Sequence, residues 1–237
     1  FSTENSFGLP SGHAQHAVSI WGTLAVICRS RLLRAAAVAV IFLVSFSRVY
    51  LGVHFFTDVL LGWAIGSCLV FSVTKLFSPC VEKLRLMGLQ RQLILSAAVS
   101  AAVLGIQALP LAASPGWTFP GAWFMNISAA LPGSDVPDPR RIKGIFSVSG
   151  AMLGYCAGLA LIHDSGGFNT EGSIKQRCMR FAAGLTGAVI IYAGLKAIMP
   201  HGHSPEAQAC RYIRYALTGL WATWGAPYIF IKTGLAE

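Results

Sequence analysis

Charge is what this chain of 237 residues has least of: 11% are Asp, Glu, Lys or Arg, against roughly a quarter in a typical soluble domain. With 54% hydrophobic residues and a mean hydropathy of +0.61, an ordinary soluble fold is excluded, because it would expose too much apolar surface to stay dispersed. Acidic residues are scarcer still, 9 against 18 basic ones, for a net charge of +9. The cations nevertheless form no single basic stripe of the kind nucleic acid requires. They sit in short clusters between apolar runs, so no nucleic-acid partner is expected and anionic membrane lipids are. Cysteine pairs are also missing. Cys28, Cys68, Cys80, Cys156, Cys178 and Cys210 make no CxxC and no metal spacing with histidine, which leaves them as small apolar residues.

What is there instead is a series of long apolar runs, which implies an all-α, polytopic transmembrane helical bundle. About seven spans are expected: from near Gly12 to Cys28, Ala35 to Gly52 or Val53, Thr57 or Asp58 to Phe77, and then 92–113, 144–162, 178–199 and 211–232. Residues 1–77 carry the polar motifs described below, and 78–237 add further spans to the same membrane domain. The longest non-spanning segment, 114–143, holds five prolines with Trp117, Phe119, Trp123 and Phe124. Aromatics at that density sit at the headgroup level, so an interfacial loop with a short helix lying on the membrane is expected, bordering the substrate entrance. Gly150, Gly154 and Gly158, spaced by four, form a small-residue face for close helix packing, within the chain or between copies in a homo-oligomer. Seven spans divide the 18 basic residues into eleven on the side of Arg29, Arg31 and Arg34 and seven on the other, Arg48 included. The positive-inside rule then places the polar motifs on the extracytoplasmic face, and a bacterial inner membrane is the expected location.

Two stretches organise the rest: Leu9-Pro10-Ser11-Gly12-His13, and Ser47 to Asp58. His54 and Asp58 lie four residues apart and can share a helical face. A carboxylate that takes the proton of one imidazole nitrogen leaves the other free to act as a nucleophile. Arg48 has the planar fork that suits two phosphate oxygens. Ser11-Gly12-His13 opens a helix whose first N–H groups and positive dipole end favour an anion. Gly12 permits close approach, and His13 is placed to protonate a leaving oxygen and then activate water. Each residue alone has a plainer reading: an amphipathic interfacial histidine, a snorkelling arginine, an aspartate cap. Their joint spacing, with ionised groups that are costly inside a membrane, points to a phosphate site. His16, His163, His201 and His203 keep the plain reading. His201-Gly202-His203 has no companion carboxylates, so no metal is expected there.

At these residues the sequence resembles the type-2 phosphatidic acid phosphatase superfamily, which includes glucose-6-phosphatase and vanadium haloperoxidases. Pro10, Ser11, Gly12 and His13 match its PSGH motif, and Ser47, Arg48, His54 and Asp58 match its SRx5Hx3D motif. The resemblance covers about the first 60 residues and implies a metal-independent, cofactor-free membrane phosphatase acting on a lipid phosphate or pyrophosphate. It implies His54 as the nucleophile forming a phosphohistidine, Asp58 orienting it, and His13 as acid and base. Arg48, Ser11 and the Gly12 backbone would hold phosphate oxygens. The family's KxxxxxxRP motif has no counterpart before Leu9, where the chain opens on Phe1 rather than methionine. Further N-terminal helices carrying that lysine and arginine are therefore expected upstream. The part from about Gln92 onward is like that of longer bacterial members. A lipid phosphotransferase is the nearest alternative, and a non-catalytic transporter or lipid-binding protein fits the composition but needs no oriented nucleophile. A vanadium-dependent oxidase is disfavoured by the membrane character.

Overall fold

In a computed structural model the protein is all-helical. The structure describes residues 8–113, 116, 118, 120–130, 132, 143–202 and 204–236. Among these, nine continuous helices follow in order: α1 (12–27), α2 (Arg31–Tyr50), α3 (Phe56–Leu76), α4 (Ser78–Arg85), α5 (Leu89–Ala113), α6 (Gly121–Ala130), α7 (Lys143–Asp164), α8 (Ile174–Ile198) and α9 (205–232). Single π turns interrupt α1 at Val18–Gly22 and α9 at Trp221–Gly225, and one closes α3 at Ser72–Leu76. The chain divides into two compact units, Phe1–Lys83 with Trp117–Pro139, and Leu84–Gly116 with Arg140–Glu237.

In the first unit α1, α2 and α3 pack on one another. The α1–α2 turn is closed by Arg34, which donates to the carbonyls of Cys28 (2.9 Å) and Arg29 (3.2 Å) and so satisfies acceptors left open at the end of α1. Ser30 caps α2 by accepting the Leu33 N–H at 3.4 Å. Midway along, Trp63 of α3 donates its indole N–H to the buried Ser45 hydroxyl of α2 at 2.8 Å, and Phe42 meets the Trp63 ring edge-on at 5.1 Å. α2 ends in a Schellman closure. The Val53 N–H reaches the Arg48 carbonyl at 3.2 Å and the Gly52 N–H reaches that of Val49 at 2.9 Å, with Gly52 at φ +68°. This turn fixes the path from Arg48 to His54. A Gly52→Val substitution should cost about 1–2 kcal/mol, the penalty for an L side chain in the left-handed region. The cost would be read as a lower thermal midpoint of the purified protein.

In the second unit α7 packs on both α5 and α9. The glycine stripe of α7 is consumed within the chain: Gly150 faces the Tyr212 carbonyl, Gly154 that of Ala216, and Gly158 the Thr223 hydroxyl. The Ser100 hydroxyl of α5 donates to the Ser149 carbonyl of α7 at 2.7 Å and sits 2.7 Å from the Tyr212 hydroxyl of α9. Trp221 of α9 donates to the Gly184 carbonyl of α8 at 2.9 Å. Ser173 and Gln176 form a reciprocal capping box at the start of α8.

Among the described residues, five helices are long and apolar enough to cross a membrane: Arg31–Tyr50, Phe56–Leu76, Leu89–Leu109, Gly144–Asp164 and Ile174–Ile198. Their flanks carry large exposed apolar groups such as Leu43, Phe46, Phe181 and Ile190, as lipid-facing surfaces do. The protein is an integral membrane protein. The expected first and seventh spans are helices too, but they differ from the other five. α1 is only 16 residues long, about 24 Å at 1.5 Å per residue. The first half of α9 is interrupted by Glu206, Gln208, Arg211 and Arg214. Within the 114–143 segment a short helix does form, α6; most of its flanking residues, Asp135, Asp138, Arg140 and Arg141 among them, lie outside the described ones.

Candidate active site

The residues expected to carry chemistry gather at one end of the first unit, where α1 starts, α2 ends and α3 starts. Ser11 occupies the N-cap position of α1, with extended backbone at φ −68° and ψ 106°. Its own N–H donates to the Asp58 carbonyl at 3.0 Å, so a single backbone bond ties the PSGH stretch to the SRx5Hx3D stretch. The Ser11 side chain is fully buried, yet its hydroxyl caps no helix N–H and has no hydrogen-bond partner among the described residues. A buried hydroxyl without a partner is uncommon and calls for an explanation; a site for an oxygen-rich ligand supplies one.

Asp58 is the hub. It is 5% exposed and stands in the first turn of α3. Its Oδ2 accepts the Phe55 N–H at 2.9 Å, the half of a capping box that an acidic residue at this position provides. The same Oδ2 lies 3.4 Å from Nδ1 of His54, which is 7% exposed. An imidazole held with Nδ1 toward a carboxylate carries its proton there and presents Nε2 as the lone-pair nitrogen. Gly8 packs against this carboxylate: a Cβ there would stand 3.0 Å from Oδ2.

Arg48 is half-buried on the last turn of α2, and its Nε donates to the Ser47 hydroxyl at 3.2 Å. Gly12 faces open space, with nothing within 4 Å of where a Cβ would be. His13 follows on the first turn of α1, where its side chain is exposed. Among the described residues no three His, Cys, Asp or Glu side chains gather as a metal site; His203 lies outside the described residues.

Two residues outside both motifs position this site. Gly62 and Gly66 of α3 lie directly under α1. A Cβ on Gly62 would stand 2.7 Å from the Ser11 carbonyl and 3.1 Å from the Gln15 nitrogen, and one on Gly66 would stand 2.8 Å from Val18 Cβ. The sequence signal was there: Gly62-x3-Gly66 is a small-xxx-small pair in an apolar helix. It starts four residues after Asp58 and brings the α1 backbone onto that turn.

Residues 1–82 match the model of the PAP2 superfamily, and residues 146–237 match that of the PAP2 superfamily phosphatase transmembrane extension. Phosphatidylglycerophosphatase B of Bacillus subtilis (strain 168) is 35% identical over 91 residues, a match covering 35% of this chain and 44% of that protein. The chain thus matches less than half the length of that relative. No solved structure matches the chain. The two models, over residues 1–82 and 146–237, point the same way: the chain belongs to the PAP2 superfamily and carries the transmembrane extension that the second model describes.

Proposed function

We propose that the protein hydrolyses a phosphomonoester or pyrophosphate on an amphiphilic lipid, through a phosphohistidine on His54 and without a metal. The observation that carries this reading is the double use of Asp58, whose carboxylate addresses His54 while its carbonyl anchors Ser11. In the first step Nε2 of His54 attacks phosphorus and the bond from phosphorus to the lipid oxygen breaks. His13 gives that oxygen its proton, and Nδ1 keeps its proton facing Asp58. In the second step His13 takes a proton from water, the water oxygen attacks phosphorus, the P–N bond breaks, and inorganic phosphate leaves. Arg48, the Ser11 hydroxyl and the backbone N–H groups at the start of α1 hold the non-bridging oxygens, where charge gathers in the transition state. The similarity to phosphatidylglycerophosphatase B makes phosphatidylglycerophosphate the first substrate to test.

The same reading takes α1 and α9 as traversing the membrane with the five apolar helices and puts the site on the extracytoplasmic face, opposite Arg29, Arg31 and Arg34. In a cysteine-free background, Phe55→Cys in intact cells should react with a membrane-impermeant maleimide. Arg29→Cys should react only after permeabilisation. The reverse pattern would invert the topology. Activity itself is tested by release of inorganic phosphate from phosphatidylglycerophosphate and from phosphatidate, in EDTA. Release from neither, by folded full chain, would overturn the phosphatase reading.

A further inference from the structure

Two arginines of α9 in the second unit, one buried and one half-buried, are not used by the proposed catalysis. Arg214 of α9 is 4% exposed, and its Nε has no hydrogen-bond partner among the described residues. Arg211, half-buried one turn earlier, also has a buried Nε without a partner among the described residues. Among the described residues neither guanidinium pairs with a carboxylate. What Arg214 does touch is aromatic: its guanidinium carbon lies 5.3 Å from the centre of the Tyr192 ring and 5.7 Å from that of Tyr215. Those two phenol oxygens are 3.4 Å apart, and Arg211 is near enough for its charge to act on both.

Arg180, in the same unit, shows what a buried arginine with internal partners looks like. It is 7% exposed and donates to the carbonyls of Asn169 (3.1 Å), Thr170 (3.0 Å) and Glu171 (2.8 Å). A guanidinium has five N–H donors. Stacking on rings offsets part of its desolvation but satisfies none of those donors. Two adjacent cations with hydroxyl neighbours make a receptor for a tetrahedral anion, since arginine forks match phosphate oxygens.

The same two helices also offer a place for an apolar tail. Between α8 and α9 runs a groove of about 440 Å³, lined by residues that include Ile190, Gly194, Leu195, Leu217, Trp221 and Trp224. Tyr192 lies in sequence between the lining residues Ile191 and Gly194 of α8, and the lining residue Leu217 follows Arg214 by one turn of α9. A cationic head site beside an apolar groove is complementary to an amphiphile with an anionic head. We propose that Arg211 and Arg214, with Tyr192 and Tyr215, bind the phosphate headgroup of an anionic phospholipid whose acyl chain lies in the α8–α9 groove. This site uses neither His54 nor any residue around it, so it stands or falls independently of the catalytic reading.

Trp221 and Trp224 make the groove readable by fluorescence. The probe is phosphatidylglycerol with brominated acyl chains, added to the full chain in neutral detergent; as a phosphodiester it is not a substrate of the proposed monoesterase. Quenching should saturate. The Arg211→Gln/Arg214→Gln double variant should raise the half-saturating concentration about tenfold or more, the loss expected for charge-assisted hydrogen bonds. Arg211→Gln alone, at a half-buried position that spares the fold, should raise it several-fold. Lys83→Gln, at an exposed cation of the first unit, should leave it unchanged. Brominated diacylglycerol, with the same tails and no phosphate, should bind the wild type as weakly as phosphatidylglycerol binds the double variant. Equal quenching by the two lipids, or unchanged half-saturation in both arginine variants, would overturn the proposal. Inorganic phosphate raising the thermal midpoint as far as the lipid does would overturn the assignment to a lipid, leaving a site for free phosphate.

Discussion

Alanine in place of His54 should lower phosphate release by a factor on the order of 10⁴ or more, the scale seen when a covalent nucleophile is removed, with the thermal midpoint little changed. Asp58→Asn is the sharper companion. One oxygen, Oδ2, both accepts the Phe55 N–H at 2.9 Å and lies 3.4 Å from Nδ1 of His54, so an asparagine cannot serve both as the carboxylate does. With its oxygen there, the start of α3 keeps its cap, but the negative charge that stabilises the imidazolium formed during catalysis is lost. With its NH₂ there, the cap is lost and the lone pair is forced onto Nδ1, the wrong tautomer for attack. In a serine-protease triad the equivalent change costs about 10⁴ in kcat, and a loss of similar order is expected here. Wild type quenched in alkali after mixing with ³²P-labelled substrate should carry acid-labile label; His54→Ala should carry none. Full label in His54→Ala would place the nucleophile elsewhere.

How much of this could be read before folding depended on which atoms carry the signal. The two motifs carry theirs in rare side chains, and the structure puts His54 beside Asp58, as their spacing of four suggested, with Ser11 against the same turn. The bond that joins them, from the Ser11 N–H to the Asp58 carbonyl, is backbone to backbone and leaves no trace in residue type. Helices were legible, but their starts were not. α2, α5, α8 and α9 each begin before the apolar run, because their first turns hold Arg31 and Arg34, Arg91, Lys175 and Arg177, and Glu206. Apolar runs mark where lipid covers a helix, whereas backbone hydrogen bonds decide where it begins. The glycine stripe of α7 was legible as a packing face, and its partner, α9, was not. Arg211 and Arg214 read as ordinary basic residues at the edge of a span. That they are enclosed by Tyr192 and Tyr215 of two helices is a tertiary fact.

The second large effect should come from a residue with no chemistry at all. Gly62→Ala adds one methyl group, on a helix, at a position where alanine is intrinsically the better helix former by about 1 kcal/mol. Local propensity therefore predicts a gain in stability. The packing predicts the opposite, because the new carbon would stand 2.7 Å from the Ser11 carbonyl oxygen and 3.1 Å from the Gln15 nitrogen. Both are backbone atoms of α1 and cannot rotate away, so α1 itself must move off α3. Overpacking of this kind costs roughly 1–3 kcal/mol. The functional cost should be larger than the structural one. The displaced residue is Ser11, whose N–H bonds Asp58 and whose hydroxyl and neighbouring helix start face the proposed phosphate. A misplacement of about 1 Å in a catalytic constellation can cost on the order of a hundredfold in rate. We expect Gly62→Ala to lose about that much in kcat while the thermal midpoint falls by only a few degrees. Gly105→Ala is the control: it is also helical, but nothing lies within 4 Å of the added carbon, so it should be neutral or slightly stabilising. If Gly62→Ala kept wild-type turnover, α1 could tolerate the shift, and the register of the two motifs would not depend on the contact between Gly62 and Ser11.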